Sequence, residues 1–251
     1  MNLILFDNSE LQAVQNSYIS VFLPYSDKRT EHLLKVLHKK TGDNFDAGLL
    51  LGKLGTGNIN EITKDGLNIH LRLETDPPLR TPLCLGVGFP RPIQLKRLLR
   101  DCSSLGLAAV DLISTELGEK SYRDTKLLDD GGARSALIEG AIQARDTCLP
   151  ELTVFPSLAA WLARRSRKSN IIYIAADNIQ PQGSFSGLEP LPAGSSAVLA
   201  IGSERGWSNS EREQLEQAGF LRLSLGQRAL RTETACIAAT ILVMEKMGLL
   251  D

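Results

Sequence analysis

No run of apolar residues in this chain approaches the roughly 18 that a membrane-spanning helix needs. The opening stretch Met1-Asn2-Leu3-Ile4-Leu5-Phe6-Asp7 also lacks a basic leader and a cleavable apolar segment, so the expectation is a cytoplasmic protein with no membrane partner. Cysteine is sparse and scattered. Cys84, Cys102, Cys148 and Cys236 form no C-x-x-C pair and mostly sit in apolar stretches, which reads as reduced core thiols rather than a disulfide frame. His32, His38 and His70 all fall in the first third, far from every cysteine, so no zinc spacing exists and no metal is expected. Net charge is almost nil: 28 basic against 29 acidic side chains exclude a wholesale polycation while leaving room for a local basic patch. What remains is an ordinary globular composition, 43% hydrophobic and 23% charged over 251 residues, enough for one or two domains.

The first 75 or so residues carry short β-rich runs, at 3–6, 18–22, 45–50 and 67–73, separated by turn signals at Thr41-Gly42-Asp43 and Lys64-Asp65-Gly66. This pattern predicts a small β-barrel. One short helix interrupts it from Thr30 to His38, where Leu33, Leu34 and Leu37 stand at helical spacing. Three prolines, Pro77, Pro78 and Pro82, then hold the backbone extended, and the domain boundary is expected there: residues 1–75 and 76–251. Beyond it strands at 83–87, 108–113, 171–175, 197–201 and 221–225 alternate with helices. These are expected near Pro92 to Ser104, Ala133 to Arg145, Ser157 to Arg167, Asn209 to Ala218 and Glu233 to Met247. Such alternation predicts an α/β domain with a parallel sheet covered on both faces. Ser208 with Glu211 fits a capping box, and Gly219 suits the position just past that helix. The alanines Ala235, Ala238 and Ala239 would let the last helix lie close to the sheet.

Several motifs fail on inspection. Gly86-x-Gly88 lacks the third glycine of a dinucleotide fingerprint, and Gly48 to Lys53 is one residue short of a P-loop. No G-x-S-x-G elbow occurs, and the α/β half has no histidine for a hydrolase triad. Two loops are more informative. Ile201-Gly202-Ser203-Glu204-Arg205-Gly206-Trp207-Ser208 and Leu225-Gly226-Gln227-Arg228-Ala229-Leu230-Arg231-Thr232 each run from a strand end into a helix, where open parallel sheets bind ligands. Basic side chains also recur on two helices, Arg91, Lys96, Arg97 and Arg100 on one and Arg164, Arg165, Arg167 and Lys168 at the end of another. Each set fits either RNA phosphates or a solvated face.

The stretch Leu225-Gly226-Gln227-Arg228-Ala229-Leu230-Arg231-Thr232-Glu233-Thr234-Ala235 resembles the signature L-G-x-R-I-L-R-T-E-T-A of the ribosomal RNA small subunit methyltransferase E family, a branch of the SPOUT methyltransferases. His32-Leu33-Leu34-Lys35-Val36-Leu37 followed by Thr41-Gly42-Asp43 is similar to that family's opening block, and Gln143 before Pro150 to a middle one. The resemblance implies an S-adenosylmethionine-dependent enzyme that methylates N3 of a uridine in small-subunit ribosomal RNA. It further implies a PUA-like RNA-binding barrel, a C-terminal SPOUT α/β domain threaded into a trefoil knot, and a homodimer. Carried over residue by residue, Ile201, Gly202 and Gly206 would line the first cofactor loop and Leu225, Gly226, Leu230 and Thr232 the second.

The chemistry implied needs uridine N3 to lose its proton, which makes Glu204 the candidate base and Arg231 or Arg228 the candidate stabiliser of charge on the uracil carbonyls. Glu233 reads instead as a first-turn carboxylate serving the helix dipole. The sequence departs from the family in the first loop, where G-P-E-G-G is Gly202-Ser203-Glu204-Arg205-Gly206, so a residue with a side chain, Arg205, would be strained if its backbone were left-handed. Ser104 replaces a glutamate, Asp146 stands where an arginine is usual, and Ser114-Thr115-Glu116 lacks the following arginine. The alternatives are therefore a SPOUT-fold RNA- or cofactor-binding protein whose catalysis has lapsed, or the same chemistry on another RNA.

Overall fold

The computed structural model describes residues 3–15, 18–165 and 170–250. The chain divides into two compact units: one holds the residues up to Leu79 together with Ala141–Leu149, the other Arg80–Gly140 and the residues from Pro150 onward. The division thus falls four residues beyond the expected Thr75, and a short stretch of the second half belongs with the first.

In the first unit β1 (Ile4–Phe6), β2 (Leu11–Gln15), β3 (Tyr18–Pro24), β4 (Asn44–Leu49), β5 (Leu54–Ile62) and β6 (Gly66–Thr75) form one sheet in the order β1-β4-β5-β6-β3-β2. All neighbours are antiparallel except β1 and β4. Period-two alternation sends Leu67, Ile69 and Leu71 of β6 into a single core with Val21, Leu23, Phe45 and Ile59. Full burial of each such side chain contributes roughly 1.5–3 kcal/mol. The expected Asp-Gly turn joins β5 to β6, where the Thr63 hydroxyl accepts the amides of Asp65 and Gly66, each at 3.2 Å. The expected helix is shifted. It begins as α1 (Lys28–Glu31), capped by Asp27, whose carboxylate accepts the Arg29 amide at 2.8 Å, and continues as a π-helical turn over His32–Val36 that drops Leu33 into the core. Ala141–Leu149 joins this unit through Thr147, whose carbonyl accepts the Leu51 amide at 2.9 Å, and through Arg145, paired with Asp46 at 2.8 Å.

The second unit runs β7 (Thr81–Gly88), α2 (Pro92–Ser104), β8 (Leu107–Ile113), α3 (Lys126–Asp129), α4 (Gly132–Ala144), β9 (Glu151–Phe155), α5 (Leu158–Arg164), β10 (Ile171–Ala176), β11 (Gly183–Ser184), β12 (Ser196–Ile201), α6 (Asn209–Gln217), β13 (Leu221–Ser224) and α7 (Thr232–Lys246). Its seven strands form a parallel sheet in the order β11-β13-β10-β12-β7-β8-β9. Both faces are covered. Cys84 and Val198 join one apolar cluster with Trp161, Trp207 and Phe220, while their neighbours Leu85 and Leu199 are fully buried outside it, and α2 and α7 pack on each other and on β7 and β12 or β8. Gly86 has a packing role, since a Cβ there would stand 2.3 Å from the Trp161 ring. The capping box at Ser208 and Glu211 is formed, and Gly219 takes φ 84° past the end of α6.

Within the basic set at the end of α5, Arg165 is not free whereas Arg164 is exposed. Arg165 forks onto the fully buried Asp111 with bonds of 2.8 and 2.9 Å, and the Trp161 indole donates to the same carboxylate at 2.7 Å. Burial, then Asp111 and its hydrogen bond, pushes the neighbouring Cys84 thiol well up. Arg167 and Lys168 lie outside the described residues.

Candidate active site

Strand order decides which loops meet. Because β10 lies between β12 and β13, with Ala176 in register with Ile201 on one side and Leu223 on the other, the loops leaving these three strands are neighbours at the carboxyl edge of the sheet. Two of them are the loops singled out in the sequence. The third, Asp177-Asn178-Ile179, was not foreseen.

The loop after β12 turns back on itself. The Gly206 amide donates to the Ser203 carbonyl at 2.8 Å, and the left-handed conformation falls on Gly206, φ 75°, not on Arg205. The expected strain at Arg205 is therefore absent, because the residue that needs positive φ is the glycine the chain has kept. Gly88 at the end of β7 makes room for this loop: a Cβ there would stand 2.5 Å from the Ser203 nitrogen. Trp207 anchors its far end, buried, with its indole donating to the Ala176 carbonyl at 3.0 Å.

Asn178 organises the loop after β13. Its side-chain oxygen accepts the Leu225 amide and its nitrogen donates to the Arg228 carbonyl, both at 3.2 Å. Gly226 takes φ 111° and donates its amide to the Ser224 hydroxyl at 3.0 Å. Beneath this loop, buried Asp177 accepts the Arg212 guanidinium at 2.7 Å and the Ile179 amide at 3.0 Å. Burial would raise its carboxyl, but the Arg212 hydrogen bond, the backbone amides and the Arg212 charge outweigh it and hold it below the usual range. Glu211 goes the other way: burial raises it despite the amides of Ser208 and Glu116 on its oxygens.

The three loops enclose a cavity of about 230 Å³. Ile201, Gly202, Glu204 and Gly206 line it from the first loop and Leu225, Leu230 and Thr232 from the second, with Asn178 and Ile179 from the third and Ala235 from α7. A second cavity of about 340 Å³ adjoins it, sharing Glu204, Leu230 and Thr232 and adding Arg91, Gln94, Arg231 and Glu233. Arg231 and Glu204 thus come together, whereas Arg228 and Gly226 line neither cavity. Arg228 stays on the exposed loop and Gly226 shapes the turn. Glu233 lies in the first turn of α7, as its reading as a dipole partner requires.

Glu204 is ion-paired with Arg91, Nε to Oε1 3.2 Å, and Arg91 Nε also donates to the Tyr122 hydroxyl at 3.0 Å. The Tyr122 hydrogen bond and the Glu204 charge push the Arg91 guanidinium up. In the sequence Arg91 stands only as one of a basic helix series. That series is mostly paired, Lys96 with Glu139 at 3.8 Å and Arg100 with Asp101 at 3.6 Å. Among the described residues the Arg205, Arg228 and Arg231 guanidinium groups and the amides of Ala229 and Leu230 make no hydrogen bond or ion pair. No group of three or more His, Cys, Asp or Glu among the described residues could hold a metal.

The arrangement is a glycine-bearing, partly apolar cleft at the carboxyl edge of a parallel sheet, beside a polar recess that holds two carboxylates and two guanidinium groups. Comparison with known proteins agrees with the sequence signature. A family model described as an RNA methyltransferase domain matches residues 77–244. A ribosomal RNA small subunit methyltransferase E of Treponema pallidum is 36% identical, with 97% of this chain and 91% of that one covered. The protein named ribosomal RNA small subunit methyltransferase E 1 of Borreliella burgdorferi is 30% identical over 88% of this chain and 92% of its own. In fold, the crystal structure of a ribosomal RNA small subunit methyltransferase E from Neisseria gonorrhoeae bound to S-adenosyl methionine superposes with TM-score 0.76 over 98% of this chain and 97% of that one, at 20% identity. With the family model spanning all seven strands of the parallel sheet and relatives aligned over most of their length, the chain belongs to the ribosomal RNA small subunit methyltransferase E family.

Proposed function

We propose that this protein is an S-adenosylmethionine-dependent methyltransferase of small-subunit ribosomal RNA, acting on N3 of a uridine. The observation that carries the reading is the contact between two cavities, one shaped for a mixed apolar and polar cofactor, the other polar and lined by Glu204, Arg91 and Arg231.

The residues present fit the cofactor. A Cβ added at Gly206 would meet nothing within 4 Å, so this position leaves the cleft open for close backbone approach, while Gly226 sets the turn of the second loop. The unbonded amides of Ala229 and Leu230 are donors for adenine nitrogens or a carboxylate, and Ile201, Leu225, Leu230 and Ala235 supply an apolar floor. When bound, S-adenosylmethionine would supply an electrophilic methyl group, the electrons of the broken S–C bond returning to its sulfur. Glu204, common to both cavities, takes the proton of uridine N3 and frees the electron pair that forms the new N–C bond. Arg231, whose guanidinium has no partner, stabilises the charge that spreads onto the uracil carbonyls, and Arg91 stands opposite Glu204 to do the same. Arg228, outside both cavities, is left to contact RNA at the loop surface.

On the same reading the six-stranded unit closes as a PUA-like β-barrel that helps hold the RNA, and the sheet unit is a SPOUT domain with a trefoil knot. Two copies form a homodimer working in the cytoplasm, where the small ribosomal subunit is the partner. Family membership supports these assignments. The absence of a left-handed Arg205 removes one of the three grounds for a lapsed enzyme, the replacements at Ser104 and Asp146 being the others. The test is transfer of label from S-adenosylmethionine to small ribosomal subunits lacking the modification. Label in the RNA is the expected result. Cofactor binding without transfer to any RNA would refute the reading.

A further inference from the structure

The second cavity is electrically balanced, two guanidinium groups against Glu204 and Glu233, which suits a neutral polar ligand better than a phosphate. Its lining offers two donor groups, Arg91 and Arg231, with the acceptor Glu204, which is 3.2 Å from Arg91. The Watson–Crick edge of uracil presents the complement, carbonyl, N3–H, carbonyl. One group in the cavity is unexplained by this pairing. Gln94, in the first turn of α2, has a buried side-chain oxygen with no hydrogen-bond partner. A buried acceptor without a donor is costly, so the half-buried Gln94 side chain, which lines the cavity, is expected to turn this oxygen onto a ligand hydroxyl or N–H. A uridine nucleotide within an RNA chain offers two such donors, N3–H and the ribose 2′-hydroxyl. N3–H must face Glu204 at the junction of the two cavities, because the methyl group replaces that proton. The 2′-hydroxyl is left for Gln94.

Building on the function proposed above, we infer that the second cavity receives the flipped-out target uridine, and that Gln94 Oε1 accepts its 2′-hydroxyl, so that Gln94 selects a ribonucleotide and orients its base. A single neutral hydrogen bond of this kind is worth about three- to tenfold in kcat/KM.

The experiment is a two-by-two cycle on the full-length protein: wild type and Gln94→Leu, each with small-subunit RNA carrying either uridine or 2′-deoxyuridine at the position that wild type methylates. Calorimetric titration of S-adenosylmethionine and the thermal midpoint accompany each protein. If the inference holds, each change alone lowers kcat/KM about three- to tenfold, the two together cost no more than either, and cofactor affinity is unchanged. Gln94→Met provides the same cycle should the leucine variant not fold. Wild-type activity in Gln94→Leu, or penalties that multiply, would overturn the inference while leaving the methyltransferase reading intact. A wild-type protein that methylates no RNA would overturn that reading itself, and the inference with it.

Discussion

Replacing Gly226 by alanine separates backbone conformation from bulk at the second loop. Gly226 holds φ 111°, a conformation that side-chain-bearing residues rarely adopt, yet an added Cβ would meet no atom within 4 Å. The cost of the substitution is therefore conformational, about 1–3 kcal/mol. The loop can relax cheaply in the free protein, because Gly226 bonds only to the Ser224 hydroxyl. That cost then appears in cofactor affinity, a loss of about 5- to 150-fold, while the thermal midpoint moves by no more than about 2 °C. Calorimetric titration with S-adenosylmethionine measures the first and a thermal melt the second. Valine adds bulk to the same strain and is expected to abolish binding. Wild-type affinity in Gly226→Ala would refute the argument that this glycine shapes the cofactor cleft.

Arg165→Leu leaves the fully buried Asp111 carboxylate without its cation and is expected to cost about 3–5 kcal/mol in urea unfolding; a loss below about 1 kcal/mol would mean that Trp161 and Cys84 suffice. Asp177, held below its ordinary carboxyl value of 3.8, contributes stability that is complete above that pH and is lost as pH falls through its lower folded value. The acid limb of a stability profile should accordingly be shallower in Asp177→Asn, and an unchanged limb would contradict the Arg212 pairing. Ser208→Ala removes the cap of α6 and its bond to Glu116, for a loss of about 1 kcal/mol by denaturant titration. Arg231→Ala should depress methyl transfer at least tenfold with little change in thermal midpoint, since Arg231 is exposed and its guanidinium makes no hydrogen bond or ion pair among the described residues; equal activity would remove it from the mechanism.

Helix α2 was legible in the sequence at its observed bounds, Pro92–Ser104, because Pro92 opens it and its apolar residues keep helical spacing. Strand β5 was not. Its sequence Leu-Gly-Thr-Gly-Asn-Ile-Asn-Glu-Ile looks like a loop, and its glycines serve packing that only the folded sheet reveals, Gly57 lying under the Phe45 ring. Strand β9 carries too few buried residues to stand out, and only Phe155 is buried. At the site the two glycine-bearing loops could be read from their position between strand and helix. Asn178 could not, because its importance follows from β10 lying between β12 and β13, an order that no local pattern encodes. The dipeptide Asp177-Asn178 at a strand end was the available signal. Arg91 was visible as a charge on a helix, but its pairing with Glu204 joins residues more than a hundred positions apart.

The central claim is methylation at N3, and the most direct measurement is the identity of the product nucleoside. Small-subunit RNA lacking the modification, treated with the protein and S-adenosylmethionine, would be digested to nucleosides and separated by mass and retention time. The account predicts 3-methyluridine at a single position, with a block to reverse transcription there because the methyl group occupies the pairing edge. A methyl group on C5 or on a ribose oxygen, or none on RNA that the cofactor-loaded protein has engaged, would contradict it.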